Sequence, residues 1–235
     1  MSLPEWRVFA DAQTLVTQLA DALCEVAEDA IRARGTFHLV LAGGRTPQAL
    51  YRELAKRHVG DAHWHIWYGD ERCLPVDDPA RNSQMAEMAW LGSSAIPLRQ
   101  RCAIPAEMGP TVAAERYGDL LAGNTEFDLV LLGLGEDGHT ASLFPGHIGQ
   151  GTEVIAVYDA PKPPPERVSL SASRLSRSRR VWFIVTGVDK RGAIARWKRG
   201  ERLPVTGVSG ACETTVWLDQ AAHPRDPGLH NQSQD

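Results

Sequence analysis

Between Phe127 and Gly146 the chain reads FDLVLLGLGEDGHTASLFPG, in which an aliphatic run, Leu129 to Leu132, breaks off into glycines, two carboxylates and a histidine. The run has the length of a strand and the apolarity of one covered on both faces. Gly133, Gly135 and Gly138 allow the backbone that follows to turn tightly or to approach a ligand. Glu136, Asp137 and His139 are therefore expected outside the carboxyl end of a buried strand, where open α/β sheets place their chemistry.

The rest of the chain supports such a sheet. Leu15, Leu19, Leu23, Val26, Ala30 and Ile31 recur at helical spacing, predicting a helix over 12–34 that ends at Gly35. A strand over 37–41 follows directly. Gly43 and Gly44 turn the chain, and Thr46 with Pro47 reads as an N-cap and first helical position for a helix to about residue 56. Further strands are expected over 64–68, 127–132, 154–157, 167–171, 181–186 and 214–218, with helices over 80–91, 112–122 and 190–198. Alternation of this kind predicts a mainly parallel open sheet with helices on both faces. The segment DAPKPPPER, residues 159–167, reads as a stiff proline-rich loop.

With 235 residues, 43% of them hydrophobic, the chain can bury a substantial core. One α/β domain is expected over residues 1–222, with a polar, disordered tail over 223–235. A net charge of −4 and a pI near 6.1 provide no global basic field, which argues against a nucleic-acid partner. Cys24, Cys73, Cys102 and Cys212 are scattered without a C-x-x-C pair, as reduced thiols would be, and Cys73 reads as a packing residue. Neither a signal peptide nor a membrane-length apolar stretch is evident, so a soluble cytoplasmic protein without membrane contact is expected.

Three segments carry candidate chemistry. In LAGGRTP, residues 41–47, small residues expose backbone N–H groups before a helix N-terminus, an arrangement suited to phosphate, although an ordinary βα turn has the same look. In WHIWYGDERCLPVDD, residues 64–78, a strand ends in Gly69, Asp70, Glu71 and Arg72, readable either as an exposed ion pair or as charge facing the His139 crevice. The glycines of the third segment also match G-x-G-x-x-G. A dinucleotide site would need a long helix next, and Pro145, Gly146, Gly149 and Gly151 interrupt it. Glu136, Asp137 and His139 alone do not complete a metal shell.

Taken in order, these segments resemble the 6-phosphogluconolactonase family, within the larger group that includes the glucosamine-6-phosphate deaminases. The resemblance rests on GLGEDGHTASLFPG, on AGGRTP, on GDER with Asn82 and Ser83 downstream, on RVSLS at 167–171 and on GVDK at 187–190. It implies a modified Rossmann-like fold and hydrolysis of 6-phospho-D-glucono-1,5-lactone to 6-phosphogluconate in the oxidative pentose phosphate pathway, with no cofactor and no metal. The implied partner is a small phosphorylated sugar lactone. The oligomeric state stays open, a monomer being compatible with the sequence.

By the same resemblance Gly43, Gly44 and Thr46 hold phosphate, and Arg167 and Lys190 supply positive charge. Arg45 stands where many relatives carry Ser or Thr, which leaves its own phosphate contact open. His139 is the expected general base, with Asp137 orienting it and Asp70 as the alternative orienting group, and Arg72 is expected on the oxyanion or the sugar acid. Two other functions compete. Glucosamine-6-phosphate deamination would call for an acid five positions after the histidine, where this chain has Phe144. A sugar-phosphate sensor would need a DNA-reading module, for which the chain has no basic segment.

Overall fold

The computed structural model of the chain describes residues 3–123, 126–146 and 153–224. The elements run β1 (Glu5–Phe9), α1 (Ala12–Arg34), β2 (Phe37–Leu41), α2 (Arg45–Lys56), β3 (Trp64–Tyr68), β4 (Asp70–Arg72), α3 (Asn82–Ala89), α4 (Pro110–Leu121), β5 (Phe127–Leu132), β6 (Val154–Val157), β7 (Arg167–Leu170), α5 (Ala172–Ser176), β8 (Ser178–Val185), α6 (Arg191–Lys198) and β9 (Glu213–Asp219).

Six strands form a wholly parallel sheet in the order β1-β9-β8-β5-β2-β3. Every residue of β5 is buried, as a strand covered on both faces requires, and β2 and β3 are almost as dry. Each fully buried leucine in these runs contributes about 1.5–3 kcal/mol relative to leaving it in water. α1 supplies one cover. Its apolar stripe includes Leu15, Leu19, Leu23 and Val26, its first turn is capped by the Asp11 carboxylate on Thr14 N–H (2.7 Å), and Gly35 ends it at φ 80°.

From β2 the chain steps outward to β3, and it later returns to place β5 on the other side of β2. The order reverses between β2 and β5, and at such a switch point the loops leaving the two carboxyl ends diverge and open a crevice. These are the loops that carry Gly43 and His139.

The structure differs from the sequence-based expectations in several places, among them an unexpected short helix α5 and an earlier start of β8. Strands 154–157 and 167–171 do not join the parallel sheet; β6 and β7 pair antiparallel in a separate sheet of order β4-β7-β6. Residues Asp70, Glu71 and Arg72 are the third strand of that sheet rather than loop, because their backbone finds partners in Ser169, Val168 and Arg167. The edge strand β1 was not expected: its polar–apolar alternation spans only five residues, none of them fully buried, and it is held by its register on β9. The helix expected over 80–91 is shorter and passes into a 3₁₀ turn at Leu91–Ser93. Finally, Thr46 is not the N-cap of α2: Gly44, at φ 107°, takes that position, and the Thr46 hydroxyl bonds Thr186 Oγ1 instead (2.6 Å). Gly149, Gly151 and residues 225–235, most of the expected tail, lie outside the described residues.

Candidate active site

The loop after β5 folds back on itself through Gly135 N–H to His139 O (2.8 Å) and Gly138 N–H to Gly135 O (3.0 Å). This closure sets His139 Nδ1 at 2.5 Å from Asp137 Oδ1, while the same carboxylate oxygen accepts the His139 backbone N–H at 3.1 Å. A carboxylate on Nδ1 favours the tautomer with its proton there, which leaves Nε2 with a free lone pair. Gly135 makes the arrangement possible, since a Cβ on it would stand 2.0 Å from His139 Nδ1. Burial draws the His139 pKa below its ordinary value, and the neighbouring Asp137 only partly offsets this. At neutral pH the imidazole is therefore mostly neutral, as a proton acceptor has to be. Burial raises the Asp137 pKa, but the hydrogen bonds from His139 outweigh it and hold the carboxyl ionised.

Asp70 does not contact His139 through a hydrogen bond. Its carboxylate accepts from Ser142 Oγ (2.6 Å) and from Asn82 Nδ2 (3.0 Å), so it ties the segment that follows His139 to the start of α3. Between the two alternatives for orienting the imidazole, the geometry favours Asp137. Arg72 projects from β4, with Nη1 donating to Ala80 O. Beneath it, the fully buried Glu71 carboxylate accepts three backbone N–H groups, from Arg72 (2.8 Å), Asn82 (2.7 Å) and Ser83 (2.8 Å), with Arg81 Nε at 3.5 Å. Arg167 lies on β7 with its guanidinium bound to the carbonyls of Lys162, Pro163 and Pro164 in the proline-rich loop. Burial lowers its pKa, yet an arginine stays cationic under any physiological condition.

These groups surround a cleft with two lobes. The first, about 180 Å³, is lined by Asp70, Arg72, Asn82, His139 and Arg167. The second, about 410 Å³, is lined by Arg45, Thr46, Thr186, Asp189 and Lys190. Gly43, Gly44, Gly133 and Leu134 border both. Arg167 and Lys190 thus reach the glycine turn from different lobes. Lys190 Nζ is held by Asp189 (2.9 Å) and lies 3.6 Å from Glu136, which lines neither lobe itself.

Asn82, Ser142 and Thr186 belong to the site without having been assigned a role from the sequence. Ser142 meets Asp70 only through folding over 72 positions, and Asn82 returns to it after twelve residues of mostly irregular chain, so neither contact shows as a periodic spacing. Cys73 is a poor nucleophile, because burial, with Glu166 nearby, pushes its thiol up to about 11. Among the described residues no three His, Cys, Asp or Glu side chains gather as a metal-binding group, and no helix is long and apolar enough to cross a membrane.

The chain is similar to several known proteins. A 6-phosphogluconolactonase of Mycobacterium leprae is 36% identical over 242 residues, covering 94% of this chain and 98% of the relative. One from Streptomyces coelicolor is 37% identical over 243 residues, covering 93% of each. The crystal structure of 6-phosphogluconolactonase from Thermotoga maritima superposes with a TM-score of 0.87 at 25% identity, covering 93% of this chain and all of that one. A monomeric glucosamine-6-phosphate deaminase shares the fold, with a TM-score of 0.78 at 19% identity over 93% of this chain and 98% of that one. The model of the glucosamine-6-phosphate isomerases/6-phosphogluconolactonase family matches residues 10–217. With that match over most of its length and relatives more than a third identical from end to end, the chain belongs to the glucosamine-6-phosphate isomerase/6-phosphogluconolactonase family.

Proposed function

We propose that this chain hydrolyses 6-phospho-D-glucono-1,5-lactone to 6-phospho-D-gluconate, the lactonase step of the oxidative pentose phosphate pathway. The observation that carries the reading is the neutral, carboxylate-oriented His139 at the edge of a cleft lined by two arginines. A lactone carbonyl is already electrophilic, so what the reaction needs is a positioned water, a base for its proton and cations near the developing oxyanion.

In this reading the lactone ring occupies the first lobe. His139 Nε2 takes a proton from water as the water oxygen bonds to C1, and Asp137 stabilises the imidazolium so formed. Arg72 faces the charge that develops on the carbonyl oxygen. When the tetrahedral intermediate collapses, the C1–O5 bond breaks and the proton on His139 passes to the departing ring oxygen, which restores the neutral base. The phosphate sits on the glycine turn, where Gly43, Gly44, Arg45 and Thr46 open α2, with Arg167 approaching from the first lobe and Lys190 from the second. Asp70, fully engaged by Asn82 and Ser142, holds the loops together. The substrate is a diffusible small molecule.

Deamination of glucosamine 6-phosphate is the weaker reading, because the position that would need an acid holds Phe144, buried against the imidazole at a ring distance of 4.7 Å. The deciding experiment measures lactone opening at neutral pH with and without protein, together with His139→Ala and ammonia release from glucosamine 6-phosphate. Acceleration above the spontaneous rate that collapses in His139→Ala, with no ammonia, is expected. A rate equal to background would defeat the lactonase reading, and ammonia release would put the deaminase in its place.

A further inference from the structure

Phe144 is buried, yet it stands outside the main core. It packs with Val157, Ala160 and the partly buried Ile155 in a small separate cluster built from β6 and the proline-rich loop. Core stability does not explain a large aromatic in such a satellite as well as its other contacts do. Its ring centroid lies 4.7 Å from that of His139, at 42° between the planes, and Arg167 Cζ lies 5.7 Å from the same ring. The ring therefore covers the imidazole with apolar surface and also meets the guanidinium of the nearest buried cation on β7.

We infer that Phe144 is a positioning residue for the hydrolysis: by shielding His139 from water it sets the pH at which the base becomes available. This rests on the lactonase reading for its consequence in catalysis, though not for its effect on the imidazole. The charged groups facing His139 come from several elements. Asp137 on its own loop and Asp70 on β4 favour the imidazolium, whereas Lys162 on the proline-rich loop opposes it. Arg72 on β4 and Arg167 on β7 line the same lobe. The two carboxylates pull toward the charged form, and burial, to which the Phe144 ring contributes directly, prevails over them. Without the ring, water solvates the imidazolium and the desolvation that holds the pKa down is relieved, so the pKa rises.

The test is an NMR titration of the His139 ring in the full chain, assigned by the signal that disappears in His139→Gln. It compares the native protein with Phe144→Leu, and with Phe144→Met in case the leucine variant does not fold. The native midpoint is expected below the ~6.5 of free imidazole and the variant midpoint at higher pH, close to or above that value. The acid limb of kcat/KM for lactone opening should move with it, a displacement that mere loosening of the fold would not produce. A native midpoint at or above ~6.5, or an unmoved midpoint in a folded variant, overturns the inference. So does failure of both variants to fold, which would make Phe144 a scaffold residue. Because the titration uses no substrate, absence of lactonase activity would defeat the functional reading and still leave this result readable.

Discussion

Asn82 lies directly against the backbone of Gly43: a Cβ on residue 43 would stand 2.0 Å from Asn82 Oδ1 and 2.6 Å from its Cγ. Asn82 has no room to withdraw, since it is buried and its amide donates to both the carbonyl and the carboxylate of Asp70. Gly43→Ala should therefore displace the asparagine and, through Asp70, the loop bearing Ser142. A stability loss of about 1–3 kcal/mol is expected, as for other overpacked sites, together with a raised KM. Urea denaturation and steady-state kinetics check both.

Gly135→Ala should act on kcat. The added methyl would lie 2.0 Å from His139 Nδ1 and 2.6 Å from Asp137 Oδ1, so the pair must part. Misplacing a base by about 1 Å lowers the rate on the order of 100-fold. The fold, followed by circular dichroism, should be nearly native, and unchanged kcat would remove the Asp137–His139 pair from the mechanism.

Lys190→Met separates phosphate binding from chemistry. Loss of one charge-assisted contact is expected to raise KM for the phosphorylated lactone about 10-fold, with kcat little changed. The slower opening of unphosphorylated gluconolactone should be unaffected. An equal loss on both lactones would show that Lys190 does not read the phosphate.

Glu71→Ala is expected to be the most damaging substitution for stability. It strips a fully buried carboxylate from three backbone N–H groups and from Arg81, whose guanidinium is itself buried. Breaking a buried charge pair in this way costs about 3–5 kcal/mol. Thermal unfolding should register it, and a loss below 1 kcal/mol would mean that water replaces the carboxylate without strain.

Stability should also fall in mild acid through His38, on the opposite end of β2 from the active site. Burial, reinforced by the stacked His65 ring at 4.6 Å, lowers its pKa to about 4, and its Nδ1 accepts from Trp67 Nε1 at 3.2 Å. The unfolded chain binds this proton near pH ~6.5, so between that pH and about 4 the unfolded state holds more protons than the folded one. Stability from this group is complete above ~6.5 and declines as the pH drops toward 4, by about 1–2 kcal/mol because the ring is partly solvated. Urea midpoints measured across this range should slope, and His38→Gln should flatten the slope.

How much of this was visible beforehand follows from the range of the interactions involved. The bounds of β2, β3 and β5 were legible because an aliphatic or aromatic run ended by glycine is a local signal, and α1 because apolar spacing and a glycine stop are local too. The proximity of Asp137 to His139 was legible for the same reason, since two residues of separation on a glycine turn bring the side chains together. Asp70, Glu71 and Arg72 read as a charged loop because nothing within fifteen residues shows that β7, almost a hundred positions on, pairs with them. The role of Ser142 was hidden in the same way, defined by a hydrogen bond to Asp70 from 72 positions away, and that of Asn82 because the irregular segment between β4 and α3 has no periodicity that would bring it back onto Asp70. Thr46 looked like a cap because its position before Pro47 fits one, and only the approach of Thr186 turned its hydroxyl elsewhere.

Arg167 meets the cleft with three of its five N–H donors already engaged, Nε by Pro164 O and Nη2 by the carbonyls of Lys162 and Pro163. A free arginine would lose torsional freedom each time a ligand docked, about 0.5–1.5 kcal/mol per immobilised side chain. Here that freedom is surrendered once, during folding. The main chain of the proline-rich loop serves as the clamp, and it uses carbonyl groups that every amino acid possesses. Drift in the side chains of this loop should therefore leave the cation aimed as before, whereas removing a single residue from it would turn a rigid fork into a wandering charge.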